Sequence, residues 1–134
     1  MSADSLFQNA LRDRTSGRLD LALQGFRDYL QWYGNTDYAP IAQFYIGDIL
    51  YQRDDFDEAL KAFDLVLEKY SENSKTADAR FMKGQTLLKM NQRTAAAQEF
   101  RELIRNSPNS PLVPKAQSAL RSLGYTAPAS KKKR

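Results

Sequence analysis

Apolar residues recur along this chain at the three- and four-residue spacing of amphipathic helices, from Leu6 to Leu123. Short polar breaks divide this pattern into segments of helical length. The segments predict seven helices, at roughly 3–15, 19–33, 38–53, 56–70, 75–90, 93–106 and 111–123. Only six glycines and five prolines occur in 134 residues, which leaves long stretches without helix breakers. The pattern therefore predicts an all-α protein.

The same small and apolar residues return every 37 residues. Ala22 is followed at that interval by Ala59 and Ala96. Three further columns keep the interval: Phe26, Phe63 and Phe100; Phe7, Phe44 and Phe81; and Gly47 with Gly84. A fixed period of this length indicates stacked helix pairs, each too small to bury its own apolar face. We expect the small residues where paired helices approach closely, and the Phe26 column in the gap between repeats.

These columns resemble the tetratricopeptide repeat (TPR), a helix–turn–helix unit with a small residue in its first helix and alanine and phenylalanine in its second. The resemblance implies a right-handed superhelix of three repeats, at about 3–36, 37–73 and 74–110. A capping helix at 111–123 is expected to close the stack, which makes residues 1–125 one TPR domain. Residues 126–134 are expected to form a disordered basic tail.

The loops that lead into the second and third repeats have a narrower resemblance. Residues 33–48 read YGNTDYAPIAQFYIGD and residues 70–79 read YSENSKTADA. Both segments are similar to the C-terminal TPR domain of the Tol–Pal accessory family, YbgF or CpoB, although Gly34 and Ser71 stand where that family has proline. The resemblance implies a periplasmic interaction scaffold. It would bind a TolA-like envelope protein and link cell-wall synthesis to outer-membrane constriction.

Two other functions fit the same repeats. One is the TPR scaffold of an outer-membrane assembly lipoprotein, and the other is a regulatory TPR module cut from a larger enzyme. A lipidated cysteine upstream in the full gene would favour the lipoprotein, and an upstream coiled coil would favour the Tol–Pal function. Residues 1–15 do not resemble a signal peptide, so we expect a mature form or a fragment.

Composition argues against catalysis and against specific nucleic-acid binding. The last four residues carry four positive charges, so the net charge of +4 belongs to them and the remaining 16 basic residues balance 16 acidic ones. Cysteine and histidine are both absent from the sequence, which removes the thiolate nucleophile and the commonest general base. We therefore expect a non-enzymatic protein with no cofactor, no metal and no membrane insertion.

An acidic cluster at residues 54–58 has two interpretations. It could hold a cation, but it lacks the glycine and the spacing of a calcium loop. Carboxylates at the start of a helix are also stabilised by the helix dipole, and this second interpretation is favoured.

The first helix of each TPR lines a concave face that is available to a partner. By register, ten residues lie on this face: Phe7, Leu11, Ile41, Phe44, Asp48, Tyr51, Asp78, Phe81, Gln85 and Leu88. The phenylalanine column would offer an apolar strip for a protein or peptide segment, with Asp48, Asp78 and Gln85 as polar handles. The alternative is that the rings pack between repeats as core. Because none of the ten residues is basic, a ligand with apolar and basic groups is expected.

Overall fold

The computed structural model describes residues 1–70 and 72–126, and this part of the chain is helical without strands. Its helices are α1 (Ala3–Thr15), α2 (Leu19–Tyr33), α3 (Ala39–Gln52), α4 (Phe56–Lys69), α5 (Thr76–Lys89), α6 (Arg93–Asn106) and α7 (Val113–Ser122). They confirm the predicted all-α fold of paired helices. The predicted basic tail, apart from Thr126, lies outside the described residues, as does Ser71.

The helices fall into two compact units. The first unit, Met1–Lys75, contains α1 to α4, and each of these helices packs against the next in sequence. The second unit begins at Thr76 and contains α5 to α7, in which α6 packs against both α5 and α7. Within each unit the turns between neighbouring helices are short, which makes those neighbours antiparallel.

The turns inside the three helix pairs share one backbone conformation. Gly17, Asp54 and Asn91 follow one another at 37 residues, and their φ angles are 79°, 62° and 60°. Glycine, aspartate and asparagine tolerate this left-handed region best. In each turn the N–H of the next residue donates to the carbonyl five residues before it, at 2.8 or 2.9 Å. Gly17, Asp54 and Asn91 thus form a fifth column of the repeat. At these positions the first helix of each pair ends and the chain reverses direction.

The alanine and phenylalanine columns form the core of the helix pairs. The Ala22 and Phe26 columns are fully buried in all three pairs. The Phe63 ring fills the space over Gly47, where an added Cβ would lie 2.6 Å from Cε1. This close approach confirms the expected need for a small residue. The expectation that the Phe26 column lies between repeats holds in part, because the Phe26 ring stacks on Tyr45 of the next pair at 5.4 Å, whereas the Phe63 ring packs over Gly47 of its own pair.

The last helix begins later than the sequence predicts. α7 starts at Val113 with Pro114 in its first turn, whereas the expected start was residue 111. The Ser110 hydroxyl accepts a hydrogen bond from the Leu112 N–H at 3.1 Å and so holds a turn before the helix. α7 ends as the first helix of each pair does, since the residue after Gly124 donates its N–H to the carbonyl five residues back at 2.9 Å.

Candidate functional site

The first two rings of the Phe7 column are core residues. Phe7 is 4% exposed and Phe44 is 8% exposed. Phe7 stacks on Tyr38, with ring centroids 4.7 Å apart, and meets Phe26 edge-on at 5.9 Å. Phe44 packs against Phe63 at 5.7 Å. Core packing therefore describes these two rings better than an open aromatic strip does.

The other apolar residues predicted on α1 and α3 are half-buried: Leu11, Ile41 and Tyr51. Tyr51 packs edge-on against Phe56 at the start of α4, with ring centroids 5.5 Å apart. Burial, and then the Asp54 carboxylate, raise the pKa of the Tyr51 phenol above its usual value. The phenol therefore stays neutral at physiological pH and offers a hydroxyl group rather than a charge.

Asp48 is already paired with a cation of the same chain. Its Oδ2 accepts hydrogen bonds from Arg14 Nη2 at 2.8 Å and from Gln52 Nε2 at 3.0 Å. The Arg14 guanidinium also lies 4.5 Å from the centroid of the Tyr45 ring. This corrects the expectation of a face without basic residues. The available signal was the seven-residue spacing of Phe7 and Arg14, which is two helical turns.

A second cation lies over the aromatic residues of α3. The Nζ atom of Lys75 is 5.1 Å from the Phe44 ring centroid and 5.4 Å from that of Tyr45. Both distances fall within the range of about 6 Å for cation–π attraction. In this part of the first unit, Arg14 therefore neutralises the Asp48 carboxylate, and Lys75 adds a positive charge beside the aromatic rings.

The predicted residues of α5 have a different environment. Asp78, Phe81, Gln85 and Leu88 follow one another by three or four residues, which places them on one helix face, and each is half-buried. The last three line an open groove of about 520 Å³ between α5 and α7, here called the α5–α7 groove. This volume lies within the range of about 300–1,000 Å³ typical of protein binding pockets. The structure thus brings together three of the ten predicted residues at one cavity.

The second wall of the α5–α7 groove was not predicted. It consists of Lys115, Ser118, Ala119, Ser122 and Leu123. The sequence pattern presents this helix as a cap, but the structure gives it the place of a first helix in a further pair. The signal was the 37-residue interval itself, because one more step along the Phe7 column leads from Phe81 to Ser118.

The charged groups that line the α5–α7 groove are cationic. Lys115 and Arg93 both border it and both are exposed. Within the described residues neither forms an ion pair, and the best partner of Arg93 is the Leu123 carbonyl oxygen, 3.5 Å from Nη2. Asp78 lies outside the lining, one turn before Phe81. The lining of the groove is therefore cationic, unlike the negative points that the sequence predicts for the concave face.

Two of the four carboxylates in the acidic cluster at residues 54–58 form ion pairs. Asp55 Oδ2 lies 3.7 Å from Arg53 Nε, and Glu58 Oε1 lies 3.6 Å from Lys61 Nζ. Glu58 also stands in the first turn of α4, where the helix dipole favours a carboxylate. Among the described residues, no group of three or more His, Cys, Asp or Glu side chains is placed to hold a metal ion.

Paired helices, a recurring Ala–Phe core and a groove between first helices define a repeat protein of the TPR type. A family model described as outer membrane lipoprotein, YfiO, matches residues 1–125. Because the match spans nearly the whole chain, the protein belongs to the YfiO family of outer membrane lipoproteins. The match does not support the narrower resemblance to the Tol–Pal accessory family.

Two further findings concern relatives and membranes. No curated protein matches the chain. Among the described helices, none combines the length and the apolar character needed to cross a membrane.

Proposed function

We propose that the protein is a non-enzymatic scaffold that holds a segment of a protein partner in the α5–α7 groove. The observation that carries this proposal is the half-exposed apolar lining formed by Phe81 and Leu88. A partner side chain that covers this lining removes apolar surface from water, which stabilises the complex by about 25 cal/mol for each Å² buried. The neighbouring Gln85 amide and Ser118 hydroxyl supply hydrogen bonds that orient the segment.

The positive charge of the groove lining indicates which side chains the partner segment carries. Lys115 and Arg93 place two positive groups beside the apolar surface. The fitting segment carries an apolar side chain with an acidic residue close to it in space. Such a charge pair at the rim speeds association and selects the partner more than it adds affinity. We therefore expect binding to weaken as salt concentration rises.

The setting that we propose is the bacterial envelope, with the protein as the scaffold of an outer-membrane assembly lipoprotein. Membership in a family described as outer membrane lipoproteins supports this setting. The periplasmic position that the Tol–Pal resemblance implies agrees with it. The partners would then be other envelope proteins.

The Tol–Pal accessory function is the second candidate. It is favoured by residues 33–48 and 70–79, which carry the narrower resemblance. The partner would then be a TolA-like protein. The parent gene separates the candidates, because an upstream lipidated cysteine favours the lipoprotein and an upstream coiled coil favours the Tol–Pal function. A catalytic domain in that gene would instead indicate a regulatory module of an enzyme.

A quantitative pull-down from an envelope extract of the source organism tests the groove. The baits are the wild-type chain and the variants Phe81→Ala and Lys115→Glu, compared by mass spectrometry. We expect the same protein to be depleted with both groove variants, because one removes apolar contact and the other reverses a charge.

The matched control for the pull-down is Trp32→Ala. Trp32 is 70% exposed, is aromatic and does not line the groove. It should retain the partner at the wild-type level. Equal capture by wild type, Phe81→Ala and Lys115→Glu would contradict the proposal.

A further inference from the structure

A second groove, of about 340 Å³, lies in the first unit and is lined by residues of α2, α3 and α4. We call it the α2–α4 groove, after its two walls. Its apolar lining consists of Leu30, Ile46, Leu50, Ala62 and Leu65. Leu65 is 44% exposed and Leu30 is half-buried, whereas Ile46, Leu50 and Ala62 are buried and form the floor of the groove.

The next helix pair is polar at the same repeat positions. One repeat of 37 residues carries Ile46 onto Lys83 and Leu65 onto Glu102. Lys83 Nζ lies 3.6 Å from Glu99 Oε2, so an ion pair occupies this part of the α5–α6 pair. Glu102 in turn pairs with Arg105 at 2.6 Å.

The preceding helix pair is polar there as well. One repeat earlier, Ile46 corresponds to Asn9 and Leu65 to Asp28. Two helix pairs of the same design therefore fold with polar side chains where the α3–α4 pair has apolar ones. Packing within a pair does not require Ile46 and Leu65 to be apolar. Ile46 is buried at the floor of the groove, whereas Leu65 is exposed and Leu30 beside it is half-buried. An exposed leucine that the fold does not need, on the wall of an apolar groove, is typical of a surface that another chain covers.

The rim of the α2–α4 groove indicates the charge of that chain. Arg27 on α2 and Lys61 on α4 stand on its two walls, and Glu58 is the acidic group beside them. Glu58 lies 3.6 Å from Lys61, while Arg27 forms no ion pair within the described residues. The rim thus has one positive charge in excess, which favours acidic side chains on the partner.

The backbone chemistry of the groove favours a helix as its occupant. The walls are helices whose backbone N–H and C=O groups are paired within the helix, so an extended segment would find no backbone partners there. A helix satisfies its own backbone and presents apolar side chains at i, i+4 and i+7. We propose that the α2–α4 groove binds an amphipathic helix of a partner protein, with acidic residues beside its apolar stripe that face Arg27 and Lys61.

Site-specific photo-crosslinking in the full-length protein, expressed in the source organism, tests this proposal. A benzoylphenylalanine replaces Leu65 in one strain and Glu102, its polar counterpart one repeat later, in a control strain. We expect one discrete adduct from position 65 and none from position 102. The crosslinked peptide, mapped by mass spectrometry, should be an amphipathic helix with acidic residues beside its apolar stripe.

A synthetic peptide of the mapped sequence then measures the contribution of the groove. The variant Ile46→Lys/Ala62→Glu transfers the Lys83–Glu99 ion pair to the α3–α4 pair, so we expect it to fold. Its Kd for the peptide should be weaker by at least about tenfold. Should the double variant unfold, Leu65→Glu replaces it, because position 65 is exposed and the substitution also introduces a charge into the groove. Its Kd for the peptide should likewise be weaker than that of the wild type. Lys115→Glu should leave this Kd unchanged, which separates the α2–α4 groove from the α5–α7 groove.

Four results would overturn the proposal. They are the absence of an adduct at position 65, an adduct with lipid or with a second copy of this chain, a mapped segment without acidic residues, and equal peptide affinity of the Leu65→Glu variant.

Discussion

Phe44 on α3 and Phe81 on α5 hold the same place in consecutive repeats, yet their surroundings differ. Each packs against the phenylalanine of its own pair, Phe63 at 5.7 Å and Phe100 at 5.6 Å. Phe44 is otherwise buried and has Lys75 over its ring, whereas Phe81 borders an open groove. The repeat thus determines the core contact of the column, and the neighbouring side chains determine whether the ring is available to a partner.

The largest expected difference between the Phe44 and Phe81 positions is in how much each ring contributes to the stability of the fold. Phe44→Ala removes a buried ring and should lower the free energy of unfolding by about 3–5 kcal/mol. Phe81→Ala should cost about half as much or less, because part of its ring already faces solvent. Urea unfolding followed by circular dichroism measures both values. Equal losses would show that the two rings are buried alike and would remove the contrast between α3 and α5.

Substitution of the glycines beneath the core rings should destabilise the two units to a similar extent, because the two cores are packed alike. An added Cβ would lie 2.6 Å from the Phe63 ring at Gly47 and 2.6 Å from the Phe100 ring at Gly84. Gly47→Ala and Gly84→Ala should therefore each destabilise by about 1–3 kcal/mol, since overpacking outweighs the better helix propensity of alanine.

Gly25→Ala is the control for the two core glycines, because its Cβ would meet only the Ala10 side chain and backbone, at 3.0 Å and beyond. Of the three glycine variants, Gly25→Ala should lose the least free energy of unfolding, as measured by thermal or urea denaturation. A Gly84→Ala variant as stable as wild type would contradict the close approach.

The Arg14–Asp48 pair marks the second difference between the units. Its side chains are 32% and 16% exposed, so solvent weakens it only in part. Arg14→Met should lower the free energy of unfolding by about 1–2 kcal/mol, because Asp48 would lose its charged partner. Arg12→Met, at an exposed position two residues away, should change it by less than about 0.5 kcal/mol. Equal urea midpoints for the two variants would show that the ion pair adds no stability.

The smallest effect on stability is expected at Lys115, on the wall of the α5–α7 groove. Lys115 is exposed and makes no ion pair within the described residues, so Lys115→Glu should change the free energy of unfolding by less than about 0.5 kcal/mol. Lys115→Glu should instead slow the association of an acidic partner, and the association rate should then depend less on salt concentration. Stopped-flow binding at two salt concentrations distinguishes this from a stability effect.

The helices and the core were predictable because they depend on local and periodic information. Apolar spacing identified the seven helices found among the described residues, and the interval that relates Ala22 to Ala59 identified the buried columns. The start of α7 was not predictable in the same way, because it depends on one hydrogen bond from the Leu112 N–H to the Ser110 hydroxyl.

The candidate site was only partly predictable for a different reason. Register places Phe81 and Gln85 on the helix face that lines the α5–α7 groove, but it does not say which faces remain uncovered. Arg14 reaches Asp48 across 34 residues, and this contact depends on the length and rotamer of a side chain rather than on the period. The second wall of the α5–α7 groove was within reach of the 37-residue interval, had it been extended to Ser118.

The most direct test of the account is the affinity of the envelope protein captured by the wild-type chain for three purified forms of that chain. Isothermal titration calorimetry compares wild type, Phe81→Ala and Trp32→Ala, with urea unfolding as the check on folding. We predict that Phe81→Ala binds at least about tenfold more weakly while remaining folded, and that Trp32→Ala binds as wild type does. A folded Phe81→Ala variant with wild-type affinity would contradict the claim that the α5–α7 groove holds the partner.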